Sequence, residues 1–158
     1  MLCRAKRKDN GDWVFGYYEK YNGSSYINLQ TDRFNSGGYP IREFIEVIPE
    51  TVGQHTGLAD KNGKDIYKGD IVQYTDEEGF YPEKHCEFVG KIVFENGAFG
   101  IATNEIIPIE LDFCCECDNF VSLWELYWNL EADGSEMLGM LEVIGNIQDN
   151  PELAEGVK

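Results

Sequence analysis

Cys114 and Cys117 are separated by two residues, the spacing of half a zinc knuckle, and His85 with Cys86 could supply the remaining ligands of a tetrahedral site. The surroundings argue against it. No second Cys-x-x-Cys follows, and two adjacent side chains such as His85 and Cys86 rarely both face one ion. The Cys114-Cys115 pair adds nothing to a ligand set. Five cysteines, an odd number, do not read as a disulfide framework, so free and partly buried thiols without metal are expected. Proton transfer has as little to work with. The two histidines are His55 and His85, and a general base must lie within hydrogen-bond reach of its target. Gly53, Gly57 and Gly63 do not lead from a strand into a helix carrying Lys-Ser or Lys-Thr, so a phosphate loop is excluded. Carboxylates are abundant, which leaves a carboxylate or Mg²⁺ site open while making any one pair uninformative. No catalytic residue, metal ligand or cofactor is assigned. A metal-dependent enzyme ranks behind the binding roles considered below.

The acids are more informative as a field than as single groups. The 158 residues carry 29 acidic and 13 basic side chains, a formal charge of −16. Residues 1–91 hold 15 acids and 12 bases, a net of −3. Residues 92–157 hold 14 acids and no Lys or Arg. Such a surface repels phosphate and attracts cationic partners. Direct nucleic-acid binding is therefore disfavoured, because affinity for DNA comes mainly from Lys and Arg neutralising phosphates. The contact residues expected are the loop aromatics Tyr39, Phe80 and Tyr81 and the carboxylates Glu105, Glu110, Asp112, Glu116 and Asp118. No apolar run approaches the roughly 20 residues of a membrane span. Arg4, Lys6, Arg7 and Lys8 precede no apolar segment, so no secretory signal is read, and the expected location is the cytoplasm.

The elements that would position these groups are strands. Four Asn-Gly dipeptides, at 10–11, 22–23, 62–63 and 96–97, mark hairpins, because both central residues of a type I′ turn need positive φ. Trp13-Val-Phe-Gly-Tyr-Tyr18, Glu87-Phe-Val-Gly-Lys-Ile-Val-Phe94 and Ala98-Phe-Gly-Ile-Ala-Thr103 flank them as β-rich runs, and Asp70-Ile-Val-Gln-Tyr74 should be at least half buried. Thr75 to Glu83 and Asn35 to Pro40 read as loops. Lys68 to Val72 followed by Gly90 to Phe94 is similar to the opening strands of SH3-like barrels. Ser122-Leu-Trp-Glu125 has capping-box spacing, and Phe120, Leu123, Trp124, Tyr127 and Leu130 suit the apolar face of a short helix ending near Gly134. Asn150-Pro151-Glu152 places a cap residue before Pro at the first helical position. The fold class expected is mainly β, an antiparallel meander forming an SH3-like barrel or a two-sheet sandwich, with one short inserted helix and a C-terminal helical turn. Residues 1–158 read as a single domain.

Three segments together resemble the YopX family of phage and prophage proteins. The longest is Thr51-Val-Gly-Gln-His-Thr-Gly-Leu-Ala-Asp-Lys-Asn-Gly-Lys-Asp-Ile-Tyr-Lys-Gly-Asp-Ile-Val72. Arg4 to Tyr17 is similar to the family's opening hairpin, and Glu142-Val-Ile-Gly-Asn-Ile-Gln-Asp-Asn-Pro-Glu-Leu153 to its closing signature. The resemblance implies a family and a genomic setting and brings no activity with it. His55 stands where the family more often carries an aromatic residue, which implies a packing or surface role. Within the central run, Gly57, Gly63 and Gly69 are expected in tight turns, and Asp60 and Asp70 as turn acids bonded to nearby amides. The functional expectation is a non-enzymatic phage accessory protein that binds a host or phage protein through its acidic surface, as a nucleic-acid mimic would. A self-associating structural component, with the arm Arg4 to Lys8 docked on a neighbour's acids, is the alternative.

Overall fold

The computed structural model describes residues 1–76, 86–104, 119–128 and 137–155. The chain divides into two compact units, Met1–His55 and Thr56–Lys158.

In the first unit, β1 (Leu2–Lys6), β2 (Trp13–Tyr21), β3 (Ser24–Phe34), β4 (Pro40–Glu46) and the start of β5 (Gly53–Ala59) lie side by side in the order β4-β3-β2-β1-β5. Successive side chains of a strand alternate faces, and β2 obeys this closely. Val14 and Gly16 are buried, whereas Phe15 and Tyr17 are exposed. Cys3, Ala5, Val14, Ile27 and Val47 form the core. A Cβ on Gly16 would sit 2.8 Å from both the Ile27 and Leu29 side chains, so a glycine is what lets β3 pack there. The end of β4 swings across to the end of β1. Arg7 and Val47 form an isolated bridge, the Ile48 amide donates to the Lys6 carbonyl at 2.9 Å, and the Lys6 amide donates to Thr51 Oγ1 at 2.8 Å. The sheet thus curls over its small core without a full closing pair of strands.

In the second unit, β6 (Asp65–Tyr67) bonds to β5, which runs across the boundary between the units. A second sheet contains β7 (Asp70–Asp76), β8 (Cys86–Glu95), β9 (Ala98–Ala102), β10 (Phe120–Ser122) and β11 (Leu141–Asn146), in the order β10-β9-β8-β7-β11. Its core includes Ile66, Val72, Tyr74, Ile92, Ile101 and Leu141, all at most 1% exposed. The run Asp70 to Tyr74 is buried beyond expectation, with Ile71, Val72 and Tyr74 fully covered. The mainly β expectation holds, and of its two forms the strands make two antiparallel sheets, neither closed into a barrel among the described residues.

The turns follow the dipeptides. Asn22-Gly23 (φ 49° and 82°) and Asn96-Gly97 (φ 51° and 85°) are two-residue turns between Tyr21↔Ser24 and Glu95↔Ala98, with the double positive φ of type I′. Asn10-Gly11 lies in a longer loop between Lys6 and Trp13. Asn62-Gly63 lies in a turn closed by the Gly63 amide on the Asp60 carbonyl and the Asp60 amide on the Lys64 carbonyl, both 2.9 Å.

The helix α1 (Leu123–Trp128) starts where the capping box placed it. Ser122 Oγ accepts from the Trp124 amide at 3.1 Å, and Glu125 Oε2 accepts from the Ser122 amide at 3.0 Å. Its expected face holds in part: Leu123 is buried and Phe120 half-buried, Leu126 takes the rest of the core contact, Trp124 and Tyr127 are 61% and 37% exposed, and Leu130 lies outside the described residues. Over six residues the two leucines three apart suffice to fill the contact, and the larger rings are left outside. At the C-terminus α2 (Pro151–Glu155) begins at Pro151 as expected, and Asn150 Oδ1 accepts the Asn146 amide at 3.3 Å, over Gly145. The asparagine fastens the helical turn to β11.

Candidate functional site

The central signature folds as a staple of the second unit. Asp60 is buried at 7% exposure. Its Oδ1 accepts the amides of Asn62 (2.8 Å) and Lys64 (2.9 Å), and its Oδ2 accepts the amide of Val143 (2.9 Å), 83 residues away. Burial alone would push this carboxyl up, but the Val143, Lys64 and Asn62 amides and the Lys64 charge outweigh it and hold the pKa below the ordinary carboxylate value. The neighbouring Lys61 amide donates to the Leu141 carbonyl at 2.9 Å, and its ammonium pairs with Glu142. Asp70, fully buried, accepts the Tyr67 amide at 2.8 Å. Gly69 donates to the Ile92 carbonyl and accepts from the Ile147 amide, at 2.9 and 3.0 Å. The central and closing signatures are therefore bound to one another. Their acids serve the backbone, as turn acids should, and in addition reach across the chain.

Charge is divided unequally. The first unit carries seven acids against seven Lys and Arg, a net of zero; the second carries 22 against six, the whole −16. The first unit's charges sit close to opposite partners: Arg7 with Asp9, Lys8 with Glu46, Arg33 with Glu43. A shallow cleft lined by Arg7, Lys8, Asp9, Phe44, Ile45 and Glu46 contains two of these pairs, so its charges are already matched. Lys8 and Arg7 are held above, and Glu46 and Asp9 below, their ordinary pKa values, in each case chiefly by the hydrogen bond within the pair.

Of the contact residues expected from the sequence, Tyr39 lies in the described structure. It is 71% exposed at the tip of the β3–β4 hairpin, where Asn35 Oδ1 accepts its amide at 3.0 Å and that of Gly37 at 2.9 Å. Phe80, Tyr81, Glu105, Glu110, Asp112, Glu116 and Asp118 lie outside the described residues. So do His85, Cys114, Cys115 and Cys117, and Cys86 is described only as the first residue of β8. His55 is half-buried within β5. Among the described residues no group of three or more His, Cys, Asp or Glu is arranged to hold a metal, and no helix is long and apolar enough to cross a membrane.

Two exposed aromatic groups went unread. Trp124, Tyr127 and Trp128 contact one another, with ring centroids 5.4 to 5.8 Å apart. On the outer face of the first sheet, Leu2, Phe15, Tyr17 and Phe44 are 39%, 51%, 60% and 57% exposed. The alternation in Trp13-Val-Phe-Gly-Tyr-Tyr18 puts Phe15 and Tyr17 on one face and Val14 and Gly16 on the other, and it is the structure that makes the second the inner face.

The fold and its acid-backed turns define a small, mainly β protein of two antiparallel sheets. This chain belongs to the YopX family, described as YopX protein, whose sequence model matches residues 3–155. A crystal structure of protein EF1440 from Enterococcus faecalis matches with 22% identity and a TM-score of 0.47, over 96% of each chain. Among curated proteins none matches.

Proposed function

We propose that this chain is a non-enzymatic phage or prophage accessory protein of the host cytoplasm that acts by binding another protein through its acid-rich second unit. The observation that carries this reading is the division of charge, zero in the first unit and −16 in the second, with no Lys or Arg between residues 92 and 157. A field of that sign concentrates at cationic surfaces and steers their approach. The partner class it fits is the basic groove of a nucleic-acid-binding protein, for which a carboxylate array stands in for phosphates. Membership of the YopX family supports the phage setting. The test is capture from nuclease-treated host lysate on immobilised protein, at low and at high salt. Basic nucleic-acid-binding proteins should be retained at low salt, released at high salt, and displaced by added DNA. Retention that ignores both salt and DNA would sink the reading.

A further inference from the structure

Leu2, Phe15, Tyr17 and Phe44 form one exposed patch on the outside of the first sheet. The strand register makes them neighbours. Leu2 is paired with Tyr17, Tyr17 with Asn28, and Asn28 with Phe44, so a single row crosses β1, β2, β3 and β4, with Phe15 beside it on β2. The polar group in the row is already satisfied. Asn28 is 4% exposed, and its Nδ2 donates to Glu19 Oε1 at 2.9 Å, so water can leave this surface without stranding the amide. The rings are not filling the unit's own core, which lies on the opposite face with Cys3, Val14 and Ile27.

Area and charge together select the occupant. With aromatic side chains burying 150–250 Å² each, the exposed fractions of these four residues leave on the order of 400 Å² of apolar surface. One side of a standard interface covers about 800 Å², slightly more than half of it apolar, so the patch matches the apolar centre of one side. The first unit has no net charge; Arg4, opposite Phe15 on this face, is buried beside the Trp13 ring, and Arg7, Lys8 and Arg33 sit against carboxylates, so net charge does not oppose a like surface. The second unit carries the whole −16, so contact between two copies of it works against net like charge.

We infer that Leu2, Phe15, Tyr17 and Phe44 are the two-fold interface of a homodimer, the same patch on both copies. The interface uses no residue of the acidic second unit, which carries the binding proposed above. Salt separates this interface from the other mode of self-association, in which the arm Arg4 to Lys8 docks on a neighbour's acids. Docking of arm on acids weakens as salt rises. The patch interface strengthens, because salt screens the net repulsion between two chains of charge −16 while leaving apolar contact in place.

The test is sedimentation equilibrium of the full chain, with the Tyr17→Arg/Phe44→Arg double variant beside it. At about 100 µM protein and about 0.3 M salt, where the Debye length is well under 10 Å, the wild type should have twice the 18.0 kDa monomer mass. The dimer fraction should fall at low salt. The double variant should remain monomeric under all these conditions, with an unchanged circular-dichroism spectrum and a melting transition that stays cooperative. A Trp124→Arg variant, altered in the other exposed aromatic group, should dimerise as the wild type does. A monomeric wild type at 0.3 M salt overturns the inference. So does a dimer that survives in the folded double variant, or one that dissociates as salt is raised. Should the double variant fail to fold, Phe15→Ser alone must weaken the dimer at least tenfold, and an undiminished dimer overturns the inference equally.

Discussion

The two units put the same residue types to opposite uses. In the first, the carboxylates of Asp9, Glu43 and Glu46 sit on the surface beside cations. In the second, Asp60 and Asp70 are buried against backbone amides, and 22 acids stand against six Lys and Arg. A buried carboxylate with three amide donors is a structural element. An exposed one with no cation nearby contributes only field. Acid count alone does not separate these roles, whereas hydrogen-bond partners do.

The sharpest way to break that distinction is to remove a buried acid. Asp60→Ala strips acceptors from three amides, of which that of Val143 is buried. A loss of about 2–4 kcal/mol in chemical denaturation is expected, since each stranded buried group costs about 1–3 kcal/mol. Asp12→Ala, at an exposed acid of the first unit, should change stability by less than about 0.5 kcal/mol. The pH dependence has a definite sign. The folded pKa of Asp60 lies below its unfolded value, so its contribution is present above about pH 4 and is lost as pH falls through the folded value. The variant's stability should therefore fall less than the wild type's between pH 5 and the onset of acid unfolding. Equal acid sensitivity in the two proteins would show that the Asp60 staple is not ionic.

Asp60 also marks what could be read from the sequence. Its role as a turn acid was legible, because an Asx turn is decided by the residues next to it. Its third bond was not, because nothing near residue 60 points to Val143. The hairpins at 22–23 and 96–97 were legible for the same local reason: the sign of φ belongs to the dipeptide. The outward rings of β2 were less so. Alternation placed Phe15 and Tyr17 opposite Val14 and Gly16, yet bulky aromatics are ordinarily counted toward a core. The helix α1 shows the same difficulty, with Leu126 taking the buried side where Trp124 was expected.

Close approach should cost alike in both units, since it depends on backbone spacing and not on charge. A Cβ on Gly16 would stand 2.6 Å from the Asn28 carbonyl oxygen, and one on Gly100 would stand 2.6 Å from that of Val121 and meet the Phe120 ring. Gly16→Ala and Gly100→Ala are each expected to destabilise by about 1–3 kcal/mol. Thermal denaturation of both variants checks this. A loss at one site only would mean that the other sheet yields to the extra methyl.

The turns should cost less again. Asn22 and Asn96 hold φ of 49° and 51°, where most side chains are strained by about 1–2 kcal/mol and asparagine by less. Asn22→Ala and Asn96→Ala should each destabilise by about 1 kcal/mol, whatever the charge of the unit. Asn10, which is absent from the positive-φ residues, should tolerate the same change with little effect. Equal losses at all three sites would show that the side-chain bonds of asparagine, and not its φ, hold these hairpins.

The smallest expected effect bears most directly on the difference in charge. The second unit's acids repel one another through water, and at physiological salt the Debye length of about 8 Å screens this only in part. Raising salt from low to moderate concentration should therefore stabilise that unit by up to about 1 kcal/mol, or a few degrees of melting temperature for a chain of this length. The first unit has no net charge, and salt weakens its exposed pairs Lys8–Glu46 and Arg33–Glu43, so its own stability should stay level or fall slightly. Melting the whole chain sums the two responses, and dimerisation adds a third. Native-state hydrogen exchange on the monomeric Tyr17→Arg/Phe44→Arg variant separates them. Amide protection in β7, β8 and β11 should rise with salt while that in β1, β2 and β3 does not. If protection rises equally in both units, the acids of the second are compensated within the fold. Their field would then be too weak to steer a cationic partner, and the case for binding through that surface would fall with it.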